Sequence, residues 1–171
     1  PKPHITCYFI KEIQENVVVS ILRDGERCSI ARASVSRSVE VNSGILVRPD
    51  LYETTTGRVL LAFSDEDRLE NIIRAKGLPG KRWDGIGSGF QLRKALRKIR
   101  GDGVAYITSG DEEVDSLAVP VLYPDGKIAA AIGCYVPATR FNGKTKKHIF
   151  DRASACARRM SHSLALFAGN P

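Results

Sequence analysis

The stretch Leu117 to Phe141, LAVPVLYPDGKIAAAIGCYVPATRF, constrains this chain more than any other. Alternating apolar residues flank Pro124-Asp125-Gly126, and an Asp-Gly pair tolerates the positive φ that tight hairpin turns require. Two antiparallel strands, Val114 to Leu122 and Lys127 to Val136, follow from that pattern. Alternation also divides the second strand between two faces, Ile132, Cys134 and Val136 on one, Gly133 and Tyr135 on the other.

The same logic reads a first hairpin in Asn16 to Ala33, NVVVSILRDGERCSIARA, around Asp24-Gly25. Ile5, Tyr8, Phe9 and Ile13 fall at helical spacing over Ile5 to Glu15, Val35 to Val41 suggests a third strand, and Val104 to Thr108 another. Thr54 to Phe63 reads as a short apolar helix. Ser64-Asp65-Glu66-Asp67 offers an N-cap and an acidic first turn to a second helix through Lys76. Gly77 to Gly89 is too rich in glycine for long regular structure. Ser88 caps a basic helix from Phe90 to Arg100, whose apolar face is taken as Phe90, Leu92, Ala95, Leu96 and Ile99. A long helix from about Lys144 to Phe167 closes the chain. Strands in two clusters with helices between and after them imply an α+β domain on an antiparallel sheet. At 171 residues, 43% of them hydrophobic, the chain suits one domain, taken as residues 1–171.

Composition excludes several classes of function. Apolar runs stay well short of the ~18 residues that span a bilayer, and Pro1-Lys2-Pro3-His4 lacks the pattern of a signal peptide. A cytoplasmic protein without membrane contact is expected, and a first residue other than Met points to a piece of a longer polypeptide. Cys7, Cys28, Cys134 and Cys156 form no CxxC pair, so buried free thiols are expected. His4, His148 and His162 occur in no metal-binding arrangement, and neither metal nor cofactor is expected. Cys134 has no charged sequence neighbour to activate it and reads as a core thiol. Gly85-x-Gly87-x-Gly89 lacks the Lys-Ser/Thr ending of a phosphate loop. Asp111, Glu112, Glu113 and Asp115 read as a solvated turn or as a mobile rim of a binding site. The net charge of +7 concentrates in Arg93, Lys94, Arg97, Lys98 and Arg100 and in Lys144, Lys146 and Lys147. These groups read as a solvated face rather than as a phosphate-binding patch.

Several segments together resemble the effector-binding domain of the IclR family of bacterial transcription regulators. They are the opening hairpin, Leu51 to Phe63 (LYETTTGRVLLAF), the Ala-x-Pro-Val strand at Ala118 to Val121, and the Pro-Ala-x-Arg-Phe close at Pro137 to Phe141. Gly57, Leu60, Leu61 and Ala62 stand in register with the family's Thr-Ala-Leu-Gly-Lys-Ala-Leu-Leu-Ala segment, with Arg58 in place of its lysine. The resemblance implies a GAF-like domain, a curved antiparallel sheet of about six strands flanked by helices. It implies a small-molecule effector and no catalysis. It also implies DNA binding through a winged helix-turn-helix that this chain lacks, and a homodimer or homotetramer whose geometry the ligand alters.

Carried over by position, the ligand site comprises Thr54, Thr55, Thr56 and Gly57 at the helix turn, Ser116, Gly133 and Tyr135 on the strands, and Thr108 or Ser109 at the rim. Ser116 replaces a frequent Cys, and Gly133 with Tyr135 replaces a pair of Ser, so a small carboxylate does not follow from the resemblance alone. Capping of the helix alone is the rival reading of the three threonines. The alternatives to effector sensing are a small enzyme using Cys134 or an acidic-loop residue, and a nonspecific nucleic-acid module.

Overall fold

The computed structural model describes residues 15–34, 49–108 and 114–168. Strands β1 (Asn16–Arg23) and β2 (Glu26–Ala33) form the first hairpin. Asp24 and Gly25 both take positive φ, 52° and 73°, the turn whose twist matches paired strands. Strands β3 (Ala105–Ile107), β4 (Val114–Leu122) and β5 (Ile128–Pro137) complete, among the described residues, one five-stranded sheet in the order β2-β1-β5-β4-β3. Every pairing is antiparallel, and both hairpins share this sheet. The β4–β5 turn is wider than a two-residue loop: Tyr123 N–H donates to Lys127 O at 2.8 Å and only Gly126 takes positive φ, at 80°. The expected helix over Ile5 to Glu15 and strand at Val35 to Val41 lie outside the described residues, apart from Glu15.

Among the described residues four helices cover the sheet: α1 (Thr55–Ala62), α2 (Glu66–Lys76), α3 (Gly89–Asp102) and α4 (Gly143–Ala168). Asp65 caps α2 by accepting from Arg68 N–H, and Ser88 caps α3 in a reciprocal box with Gln91, satisfying donors that a helix start leaves without partners. One correction concerns α3. Leu92, Leu96 and Ile99 are buried but Phe90 is 72% exposed. At 3.6 residues per turn Phe90 stands roughly 200° around the helix from Leu92 and cannot share its face.

The sheet separates two apolar cores. Val17, Val19, Leu117, Val119, Ile132, Cys134 and Val136 pack against Ile149, Ala153 and Cys156 of α4. On the opposite face Ala105, Ala118 and Ala131 meet Leu60 and Leu61 of α1 and Leu92 and Leu96 of α3. Each fully buried leucine or isoleucine contributes about 1.5–3 kcal/mol. Alanines on the second face let α1 approach the strands closely, and this close approach builds the site. At the end of β5, Arg140 pairs with buried Glu15 at 2.8 Å, tying that strand end to the start of β1.

Candidate functional site

The sequence Asp50-Leu-Tyr-Glu-Thr folds α1 into place through local hydrogen bonds. Asp50 Oδ1 accepts from Tyr52 N–H at 2.6 Å and Glu53 N–H at 2.7 Å. The Thr54 hydroxyl donates to Asp50 O at 2.8 Å and accepts from Gly57 N–H at 3.1 Å. Thr54 is therefore the cap of α1, as its residue type favours. Gly57 serves contact between backbones: a Cβ there would lie 2.5 Å from Leu51 O and 2.6 Å from Leu51 Cα. Neighbouring Arg58 is also structural, with Nε donating to Tyr52 O at 2.8 Å and the guanidinium 4.4 Å from the centre of the Trp83 ring. Burial pulls its pKa down to about 10, against the opposing charges of Asp84 and Asp50.

Thr55 and Thr56, the first helical residues, have a different environment. Both are 0% exposed. Thr56 Oγ1 accepts a 2.6 Å bond from Arg27 Nε, whereas Thr55 Oγ1 is buried without a hydrogen-bond partner. Gly133 lies beneath Thr56, and a Cβ there would fall 2.6 Å from Thr56 Cγ2, 3.2 Å from Val18 Cγ1 and 3.4 Å from Tyr135 Cε2. Gly133 is thus what lets α1 sit down on β5. Ser116 and Tyr135 are register partners, as are Ala118 and Gly133, so these positions share the face turned to α1. Ser20 follows Val18 on that face of β1, and its hydroxyl is likewise buried without a partner.

Tyr135 is 2% exposed, and its phenolic oxygen makes no hydrogen bond of good geometry. Burial pushes its pKa up, opposed by Arg27, Thr56 and Thr55, which act on the same oxygen. Arg27, 2% exposed on β2, has its pKa lowered by burial, and Tyr135 is the largest influence in the other direction. A cation, the N-terminus of α1 and three buried hydroxyls without partners therefore share one face. This combination favours a small ligand carrying negative charge or strong acceptors.

Thr55, Thr56, Ser116, Gly133 and Tyr135 lie on the face between α1 and the strands, and Thr54 and Gly57 form the turn that starts α1. Thr108 is exposed just past β3, whose last residue, Ile107, is the register partner of Ser116. Ser109 and Asp111 to Glu113 lie outside the described residues, while Asp115 is buried in β4. Sequence reading missed Arg27 and Ser20. Their one local signal was period two, which sets Arg27 opposite Leu22 and Ser20 opposite Ser29.

Away from this face, burial pushes the Cys134 thiol pKa up, so at neutral pH it is a protonated core residue rather than a nucleophile. Cys28 and Cys156 are also free thiols; Cys7 and His4 lie outside the described residues. No metal-binding cluster occurs among the described residues, and no described helix is long and apolar enough to cross a membrane. Much of the charge on α3 is engaged: Arg93 pairs with Glu66 and Glu70, Lys98 with Asp102, and Arg100 donates to Ala62 O and Ser64 O at the end of α1.

The profile of the family described as bacterial transcriptional regulator IclR C-terminal matches residues 4–162. The HTH-type transcriptional regulator KdgR of Escherichia coli K12 is 25% identical over 149 residues, covering 86% of this chain and 57% of that protein. The chain spans about half the length of the curated relatives it matches. Among solved structures, a transcriptional regulator of Rhodococcus sp. RHA1 superposes with a TM-score of 0.81 at 25% identity, over 95% of this chain and 66% of that one. The C-terminal domain of Escherichia coli KdgR superposes at 0.75 with 21% identity, over 95% of this chain and 97% of that domain.

Proposed function

The chain belongs to the bacterial transcriptional regulator IclR C-terminal family, and from that premise we propose that it senses a small anionic effector for a DNA-binding regulator. The seat is the face formed by Thr55 and Thr56 of α1, Ser116 of β4, Tyr135 of β5 and Arg27 of β2, with Thr54 and Gly57 supporting the turn, Gly133 as its floor and Thr108 and Ser109 at the rim. One observation carries the reading: buried hydroxyls of Thr55 and Tyr135 without partners converge beside a buried guanidinium. Leaving such groups unsatisfied costs about 1–3 kcal/mol each. A ligand with acceptor oxygens removes that cost, and its charge offsets the desolvation of Arg27.

DNA binding belongs to a further part of the regulator, and the domain acts as a homodimer or homotetramer. A ligand shifts the arrangement of subunits by as much as its affinity differs between two arrangements, about 1–3 kcal/mol for a regulatory response. Cytoplasmic location follows from that role.

Thermal shift with a panel of small carboxylates at saturating concentration tests the seat. The expected result is that carboxylates raise the melting temperature of the unsubstituted chain while their neutral amides do not, and that Arg27→Met and Thr56→Val reduce the rise by half or more. A carboxylate response that survives both substitutions places the ligand elsewhere and overturns the assignment.

A further inference from the structure

We propose that the side chain of Tyr135 is a built-in occupant of this seat, with its phenol standing where an aromatic acid of similar size binds, so that the effector must turn it out to enter. The inference rests on the site reading above. The ring is folded back along its own strand: Cε2 lies 3.4 Å from where a Cβ of Gly133 would be, under the methyl of Thr56. A Cβ at position 133 would meet the helix at 2.6 Å and the ring only at contact distance, so the ring lies against bare backbone in the space beneath α1. A tyrosine built solely as core normally gives its hydroxyl a hydrogen-bond partner. Tyr135 buries its hydroxyl without one, within reach of Thr55, which is equally unsatisfied. Ring burial is what holds this conformer most visibly, at 2% exposure.

An aromatic carboxylate matches the same space better. Its ring replaces the phenol, and its carboxylate brings the acceptors and the charge that the hydroxyl lacks, facing Arg27 and the first turn of α1. Tyr135 lies near the end of the sheet, paired with Asn16 at the start of β1, and Val114 beside it is only half-buried. A resident side chain that must leave first weakens apparent affinity in proportion to the time it spends in place.

Calorimetric titration with benzoate and with p-cresol, the molecule equivalent to the displaced side chain, tests this in the unsubstituted chain, Tyr135→Ala, Tyr135→Phe and Tyr135→Ala/Arg27→Met. Tyr135→Ala is expected to bind both probes at least tenfold more tightly than the unsubstituted chain, and Tyr135→Phe, which keeps the ring, no more tightly. Adding Arg27→Met should abolish benzoate binding and spare p-cresol. Equal affinities in Tyr135→Ala and the unsubstituted chain, benzoate binding by Tyr135→Phe as tight as by Tyr135→Ala, or a Tyr135→Ala chain that stays unfolded even with p-cresol would overturn the proposal. Binding of p-cresol without benzoate would reduce the seat to an apolar hole and overturn the acidic class. Benzoate binding that ignores Arg27→Met in both backgrounds would instead remove the effector seat itself from this face.

Discussion

Tyr135 and Thr55 each carry a buried polar atom that nothing satisfies, and their substitution should therefore go against the usual direction for core residues. Tyr135→Phe and Thr55→Val are expected to leave stability unchanged or raise it by about 1 kcal/mol at neutral pH, because each removes a desolvated hydroxyl and no hydrogen bond. Denaturant midpoints measure this, and a loss above about 1 kcal/mol in either variant would mean that its hydroxyl has a partner after all. Alkaline pH gives an independent reading. Burial raises the pKa of Tyr135 above its ordinary 10.0, so the native state keeps a proton that the unfolded chain releases. The stability it contributes is complete below about pH 10 and declines as pH rises above that, by at most about 1.4 kcal/mol per pH unit. Tyr52 and Tyr106 are also raised by burial, so Tyr135→Phe should make the alkaline decline shallower without removing it. The resemblance brought Tyr135 and the threonines into view, but not Arg27. Within ERCSIARA an arginine reads as solvent-facing, and only the placement of β2 beside β1 carries its side chain to Thr56.

Between elements, the decisive contacts are made by glycines. Gly133→Ala would set a Cβ 2.6 Å from the methyl of Thr56 and 3.2 Å from Val18, both side-chain atoms able to give slightly. A loss of about 1–3 kcal/mol is expected, in the range of overpacked cores. Gly57→Ala meets Leu51 O and Leu51 Cα at 2.5 and 2.6 Å, and backbone yields less readily, so it should be the more damaging of the two. Thermal unfolding of both variants checks the order, and a milder Gly57→Ala would show that the turn at Asp50 is not fixed. Most elements were legible in advance because their signals are local: Asp-Gly turns for the hairpins, Asp65 and Ser88 for the starts of α2 and α3. Phe90 was misplaced because a run of apolar residues was taken as a face without regard to helical phase. The close seating of α1 was not legible, since a glycine in a strand does not say what approaches it.

Across the whole molecule, a formal charge of +7 suggests affinity for nucleic acid, yet the ion pairs of α3 and the Lys147–Asp151 pair on α4 engage part of it. Duplex binding by this chain is expected to be weak, indifferent to sequence and steeply reduced by salt, as for phosphate contacts alone. Fluorescence anisotropy against one duplex and its scrambled competitors checks this, and nanomolar preference for a single sequence would show a reading surface on this domain. The division of β5 between two faces has a further consequence. Cys134 and Tyr135 are chain neighbours, yet one is sealed against α4 while the other meets α1. The pleat thus acts as a partition wall: residues at 116 and 135 can be exchanged on one side while the framework behind the wall keeps its fit. A scaffold so divided can change one face a residue at a time without the other being rebuilt.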